Sequence, residues 1–120
     1  MLDVQGLDVA KGLHFVGGRW STYIIILRMF AEQQAGMSGE IRRALAAGDR
    51  EAAMHLVHSA KGILGTIGAE RLHEDASALY RALSERLPPQ EIESQLNGME
   101  ARHDALIHGL RAQLPAEPAG

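Results

Sequence analysis

At 120 residues the chain is long enough for one hydrophobic core and one domain, and its net charge of −3 argues against the basic stripe that a nucleic-acid binder presents. It has no cysteine, which excludes disulfides and thiolate chemistry and fits a reducing compartment. Aromatic residues are only 4% of the chain, a composition that favours helix packing over a β-sandwich.

The first residues, Met1-Leu-Asp-Val4, lack a basic region and an apolar core, so no signal peptide is expected. A short helix is expected from about Asp8 to Phe15, with Asp8 as its N-cap and Gly17-Gly18 at its end. A long second helix is expected from about Trp20 to Ala47. Its apolar stripe is Trp20, Tyr23, Ile24, Leu27, Phe30, Ile41 and Leu45, and Gly36 and Gly39 weaken its middle and allow a kink. Ile24, Ile25 and Ile26 span about 200° of helix circumference, so at least one must leave the core. An isoleucine exposed there would suit a modest apolar interface, unless the short first helix covers it. The run from Tyr23 to Leu27 is the longest strongly apolar stretch, too short to span a membrane.

Gly48-Asp49 reads as the end of one helix and the N-cap of the next. A third helix is expected from Arg50 to about Ile67, ended by Gly68. A fourth is expected from about Ala69 to Leu87, with Leu72, Ala76, Leu79 and Leu83 inward. Pro88-Pro89 breaks the chain and starts a fifth helix, Pro89 to Gln113, whose apolar positions are Ile92, Leu96, Met99, Leu106, Leu110 and Leu114. The tail, residues 115–120, is expected to be disordered, leaving one domain over residues 1–114. Four long helices with short connections predict an all-α, antiparallel four-helix bundle with a short additional N-terminal helix.

The third helix carries the chemistry. His58, Lys61, Gly62 and Gly65 recur at i, i+3, i+4 and i+7, within roughly 60° of His58 on a helical wheel. Leu56, Ile63, Leu64 and Ile67, with Ala53 and Ala60, point the other way, at about 140° to 240°. The helix therefore buries an aliphatic face and offers water a histidine, a lysine and two glycines. Each glycine costs about 1 kcal/mol against alanine inside a helix, so two of them beside an exposed histidine imply that something must come close to it. The chain has only two lysines, Lys11 and Lys61, against ten arginines. A compact ammonium one turn from an imidazole suits a phosphoryl group.

Other readings are weaker. Glu51, His55 and His58 have helical metal-ligand spacing, but bundle metal sites point inward and draw on several helices, so no metal is expected. No phosphate loop, nucleophile elbow or paired-carboxylate frame is present, so an autonomous enzyme is not expected. His55 lies about 60° from His58 on the same face, a neighbour that can contact a partner. His103 falls on the fifth helix's apolar stripe as a packed or boundary residue. His14, His73 and His108 are expected to be solvated.

The segment His58-Ser-Ala-Lys61-Gly62-Ile-Leu-Gly65-Thr-Ile-Gly68-Ala69 resembles the phosphoacceptor motif of histidine-containing phosphotransfer (HPt) domains. Gly6 to Leu13, Gly17-Gly18, Tyr23 to Phe30 and Ala46-Ala-Gly-Asp49 extend the resemblance over nearly the whole chain. Ile63 departs from it, standing where the family usually has a small residue. The resemblance implies a phosphocarrier in a multistep two-component phosphorelay. His58 would be the phosphoacceptor and Lys61 would offset the phosphate charge. Gly62, Gly65 and His55 would lie where the partner approaches. The implied partners are receiver domains of response regulators or of a hybrid sensor kinase, which would supply the Mg²⁺, so this chain needs no cofactor of its own. The expected protein is cytoplasmic, a monomer as an isolated domain, with no nucleic-acid partner and no membrane insertion. A stand-alone carrier and the C-terminal HPt domain of a hybrid sensor histidine kinase both fit. The alternative function is a helical docking module that binds a receiver or kinase without carrying phosphate.

Overall fold

Six α-helices follow one another in the computed structural model, which describes residues 2–114: α1 (Val9–Phe15), α2 (Trp20–Gln33), α3 (Met37–Ala46), α4 (Arg50–Ile67), α5 (Glu70–Ser84) and α6 (Pro89–Gln113). Among the described residues there is no strand. α4 packs against α3 and α5, α5 against α6, and both α2 and α3 against α6, which closes the ring of a four-helix bundle. α2 and α3 together form the first member. α1 is the additional element and lies against α4 and α2. Leu27, Ile41, Leu64, Leu79, Met99 and Leu110 are fully buried along the bundle axis, each worth roughly 1.5–3 kcal/mol of transfer free energy.

Local signals explain most boundaries. Asp8 caps α1 by accepting from the Lys11 amide at 3.1 Å, and Asp49 caps α4 by accepting from the Ala52 amide at 3.0 Å. Gly48 takes φ 73° after α3, and Pro89 opens α6. Two ion pairs tie α6 to its neighbours. Arg102 grips Asp75 of α5 with two hydrogen bonds of 2.6 and 2.8 Å, and Arg42 of α3 reaches Glu100 at 3.1 Å.

Four expectations are corrected. The helix expected from Trp20 to Ala47 is two helices, interrupted at residues 34–36 rather than merely kinked. The second one restarts on Gly36, with no side-chain cap. The helix expected to reach Leu87 ends at Ser84, because Arg86 turns left-handed (φ 55°) and the Leu87 amide folds back to the Ala82 carbonyl at 3.0 Å. Trp20 is 44% exposed rather than part of the core, since it stands at the first residue of α2, where no helix covers it fully. His73 is half-buried and hydrogen-bonded rather than solvated. Of the three isoleucines, Ile25 leaves the core at 55% exposure, uncovered by α1. The expected disordered tail lies outside the described residues.

Candidate functional site

The site grows from the way α4 is held. Its buried line is Ala53, Val57, Ala60, Leu64 and Ile67, with Leu56 and Ile63 half-buried at the edges. That line fixes the opposite side, where His58 and Gly62 are exposed and Lys61 and Gly65 are half-buried toward α5. The four residues expected on one face are therefore on one face.

The C-terminal end of α4 is locked. Gly68 takes φ 90°, the Ala69 amide bonds to the Leu64 carbonyl at 2.9 Å and the Gly68 amide to the Gly65 carbonyl at 3.3 Å. The buried Tyr23 hydroxyl donates to the Ile67 carbonyl at 2.8 Å, satisfying one of the helix's last acceptors. Burial and the nearby Asp8 push the Tyr23 phenol up to about 12, so it stays a donor. The Gly68 carbonyl accepts from the Asp8 amide at 2.8 Å, and Gly12 is bare because any Cβ there would strike the Tyr23 ring and the Ile67 carbonyl. Lys11 pairs with Glu70 at the start of α5, and the pairing raises the lysine's pKa.

His58 stands on this helix with its ring against Tyr80 of α5, centroids 5.7 Å apart and planes tilted by 50°. Beside it an open groove is lined by Arg50, Glu51, Met54, His55, His58, Tyr80 and Ser84. Arg50 crosses to α5 and donates to the Leu83 carbonyl at 2.7 Å. Glu51, His55 and His58 share this groove but do not converge, and no group of three or more metal-ligating side chains occurs among the described residues. Nothing lies within 4 Å of where a Cβ would sit on Gly62, so the space over that turn is open. Gly65 differs, because a Cβ there would come 3.1 Å from the His73 ring. No ion pair among the described residues involves Lys61.

Tyr80 and His73, which contact His58 and the Lys61 carbonyl, are the neighbours of this face that sequence reasoning missed. Both reach α4 across the α4–α5 interface, and helical periodicity does not contain the register between two helices. Gly65 was the available signal for His73, as a glycine in a helix interior that needed a reason. The other histidines lie elsewhere. His14 and His108 are exposed, while His103 of α6 is fully buried against Phe30, ring centroids 5.9 Å apart.

A family model, the Hpt domain, matches residues 25–116. The chain belongs to the HPt family. HPt domains are phosphotransfer modules of phosphorelays, carriers rather than catalysts, and their partners are receiver domains. The match spans most of α2 and all of α3 to α6, including the whole His58 face, and leaves α1 outside it. No curated protein and no solved structure matches the chain. Among the described residues, no helix is long and apolar enough to cross a membrane.

Proposed function

We propose that the chain is a cytoplasmic phosphocarrier in which His58 accepts a phosphoryl group from a receiver-domain aspartate and passes it to another receiver. The observation that carries this reading is the pairing of an exposed His58 with open space over Gly62, one turn further along a helix locked at its end. Neutral imidazole is a good nucleophile near neutral pH. In the transfer a P–N bond forms on His58 as the P–O bond of the aspartyl phosphate breaks, and the carboxylate leaves with its electron pair. The reverse step regenerates the imidazole. Positioning and charge neutralisation dominate such a transfer. Lys61 offsets the phosphate charge from one turn away, and the receiver brings the Mg²⁺. Tyr80 limits the orientations of the His58 ring, and Gly62 lets the receiver's loops come close. His55, and the Gly65 turn with Phe15 in the groove beyond Gly62, border the approaching partner.

The test mixes the protein with a receiver pre-phosphorylated by a small phosphodonor and records the intact mass. Wild type is expected to gain an acid-labile phosphoryl adduct that His58→Gln lacks. An adduct that survives His58→Gln moves the acceptor to another histidine. No adduct across a broad panel of receivers replaces the carrier with a docking module.

A further inference from the structure

The second half of α4 is intrinsically weak, because Gly62 and Gly65 lie within one turn and glycine is the poorest helix former after proline. Two consecutive carbonyls in this turn receive a side-chain donor. The Thr66 hydroxyl donates to the Gly62 carbonyl at 3.0 Å, and the His73 Nδ1 lies 2.9 Å from the Lys61 carbonyl. The Thr66 bond is internal to α4. The His73 bond crosses from α5 and is the one that fixes the turn in space.

His73 is itself firmly placed. Its amide bonds to the Ala69 carbonyl at 2.9 Å, and its carbonyl accepts from the Ser77 hydroxyl at 2.9 Å. Its ring lies against Gly65, where a Cβ would stand 3.1 Å from Nδ1 and 3.4 Å from Cε1. A Cβ at position 65 would push the imidazole by a few tenths of an ångström, so a bare position 65 favours this placement. A carbonyl oxygen can only accept, so Nδ1 carries the proton in the neutral as well as the charged ring. The anchored carbonyl belongs to Lys61, the residue one turn from His58.

We propose that His73 is a positioning residue for phosphoryl transfer. It lies on Gly65 and ties the Lys61 backbone to α5, fixing the turn from which the Lys61 side chain extends. This inference rests on the carrier reading. It gives Gly65 an internal partner, where sequence reasoning had assigned the residue to the approaching receiver.

The test follows single-turnover transfer from a phosphorylated receiver to wild type, His58→Gln, His73→Ala, His73→Asn, Lys61→Ala and the His73→Ala/Lys61→Ala double variant. His73→Ala is expected to lower the transfer rate about three- to tenfold, the effect of one hydrogen bond, with the half-saturating receiver concentration unchanged. His73→Asn, whose amide nitrogen takes the place of Nδ1, is expected to restore most of the rate. In the Lys61→Ala background the loss of His73 is expected to add nothing, because the lysine through which it acts is gone. Long-range proton–nitrogen NMR of the wild type is expected to find the neutral His73 as the Nδ1–H tautomer. An unchanged rate in His73→Ala overturns the inference, as does an equal loss with and without Lys61, or an Nε2–H tautomer. The last reading is taken on the intact protein and is immune to a folding defect in a variant. If wild type takes no phosphate, the carrier reading falls and this inference with it. If wild type is labelled at His58 while His73→Ala matches it, the inference alone falls.

Discussion

A Cβ on Gly62 would meet nothing within 4 Å, whereas one on Gly68, the C-cap of the same helix, would run into the Asp8 carbonyl and the Gly12 amide. Gly62 is an ordinary helical residue facing solvent, and Gly68 is left-handed at φ 90° inside a three-way junction of α1, α2 and α4. On the proposed carrier reading, the two glycines separate what the bundle needs in order to stand from what a partner needs in order to dock. Gly68 is required by the fold and is crowded. Gly62 weakens the fold and is open.

The largest test of this contrast is Gly68→Ala. Left-handed strain plus the clash with Asp8 is expected to lower the unfolding free energy by about 3 kcal/mol, read from denaturant midpoints at constant slope. A loss under about 1 kcal/mol would mean that the junction opens easily and that the two positions differ little.

The same contrast extends to two histidines, His58 exposed and His103 buried. Neither ring nitrogen of His103 makes a hydrogen bond of ordinary geometry among the described residues. Burial lowers its pKa from the usual 6.5, outweighing Asp104, the Gln34 backbone and Glu100, which favour the cation. As the pH falls through about 6.5 toward the lower folded-state value, the unfolded chain therefore binds more protons at this position than the folded one, and stability declines as the pH is lowered. His103 is expected to contribute part of the loss of stability as the pH is lowered from about 7.5 to about 5.5. His103→Leu, compared with wild type by denaturation at both values, should lack that part of the decline. An identical decline in both proteins would show that the buried ring does not titrate separately from the unfolded state.

The smallest effect is Gly62→Ala. It is expected to stabilise the protein by about 1 kcal/mol, opposite in sign to Gly68→Ala, while slowing phosphoryl transfer from a receiver. Stabilisation without slowing would remove approach of the partner as the reason for that glycine.

Much of this arrangement is legible in the sequence alone. The ends of α4 and α6, the Asp8 and Asp49 caps and the outward turn of His58, Lys61 and Gly62 follow from spacing within single helices. What was not legible crosses between helices or lacks a residue signature. α5 ends on a left-handed arginine where no glycine marks the turn. The interruption at residues 34–36 lies just ahead of Gly36 and was foreseen only as a kink. Trp20 matched the stripe of α2, but a first-turn position has fewer neighbours to cover it. His73 and Tyr80 meet α4 through a register that no periodicity encodes. His103 could be placed on an apolar stripe, but not among partners that leave both nitrogens unbonded.

The junction at Gly68 also bears on where the physical unit begins. The family match starts at residue 25, yet Asp8, Gly12 and Tyr23, which close the end of the His58 helix, all precede it. A fragment trimmed to the matched residues would keep every group on the His58 face and lose the latch behind it. The Ile67 carbonyl would lose its donor, and the apolar side of α4 that α1 covers would meet water. The contacts that close the end of the His58 helix thus reach ahead of the matched residues, and the segment before residue 25 helps to hold that helix in place.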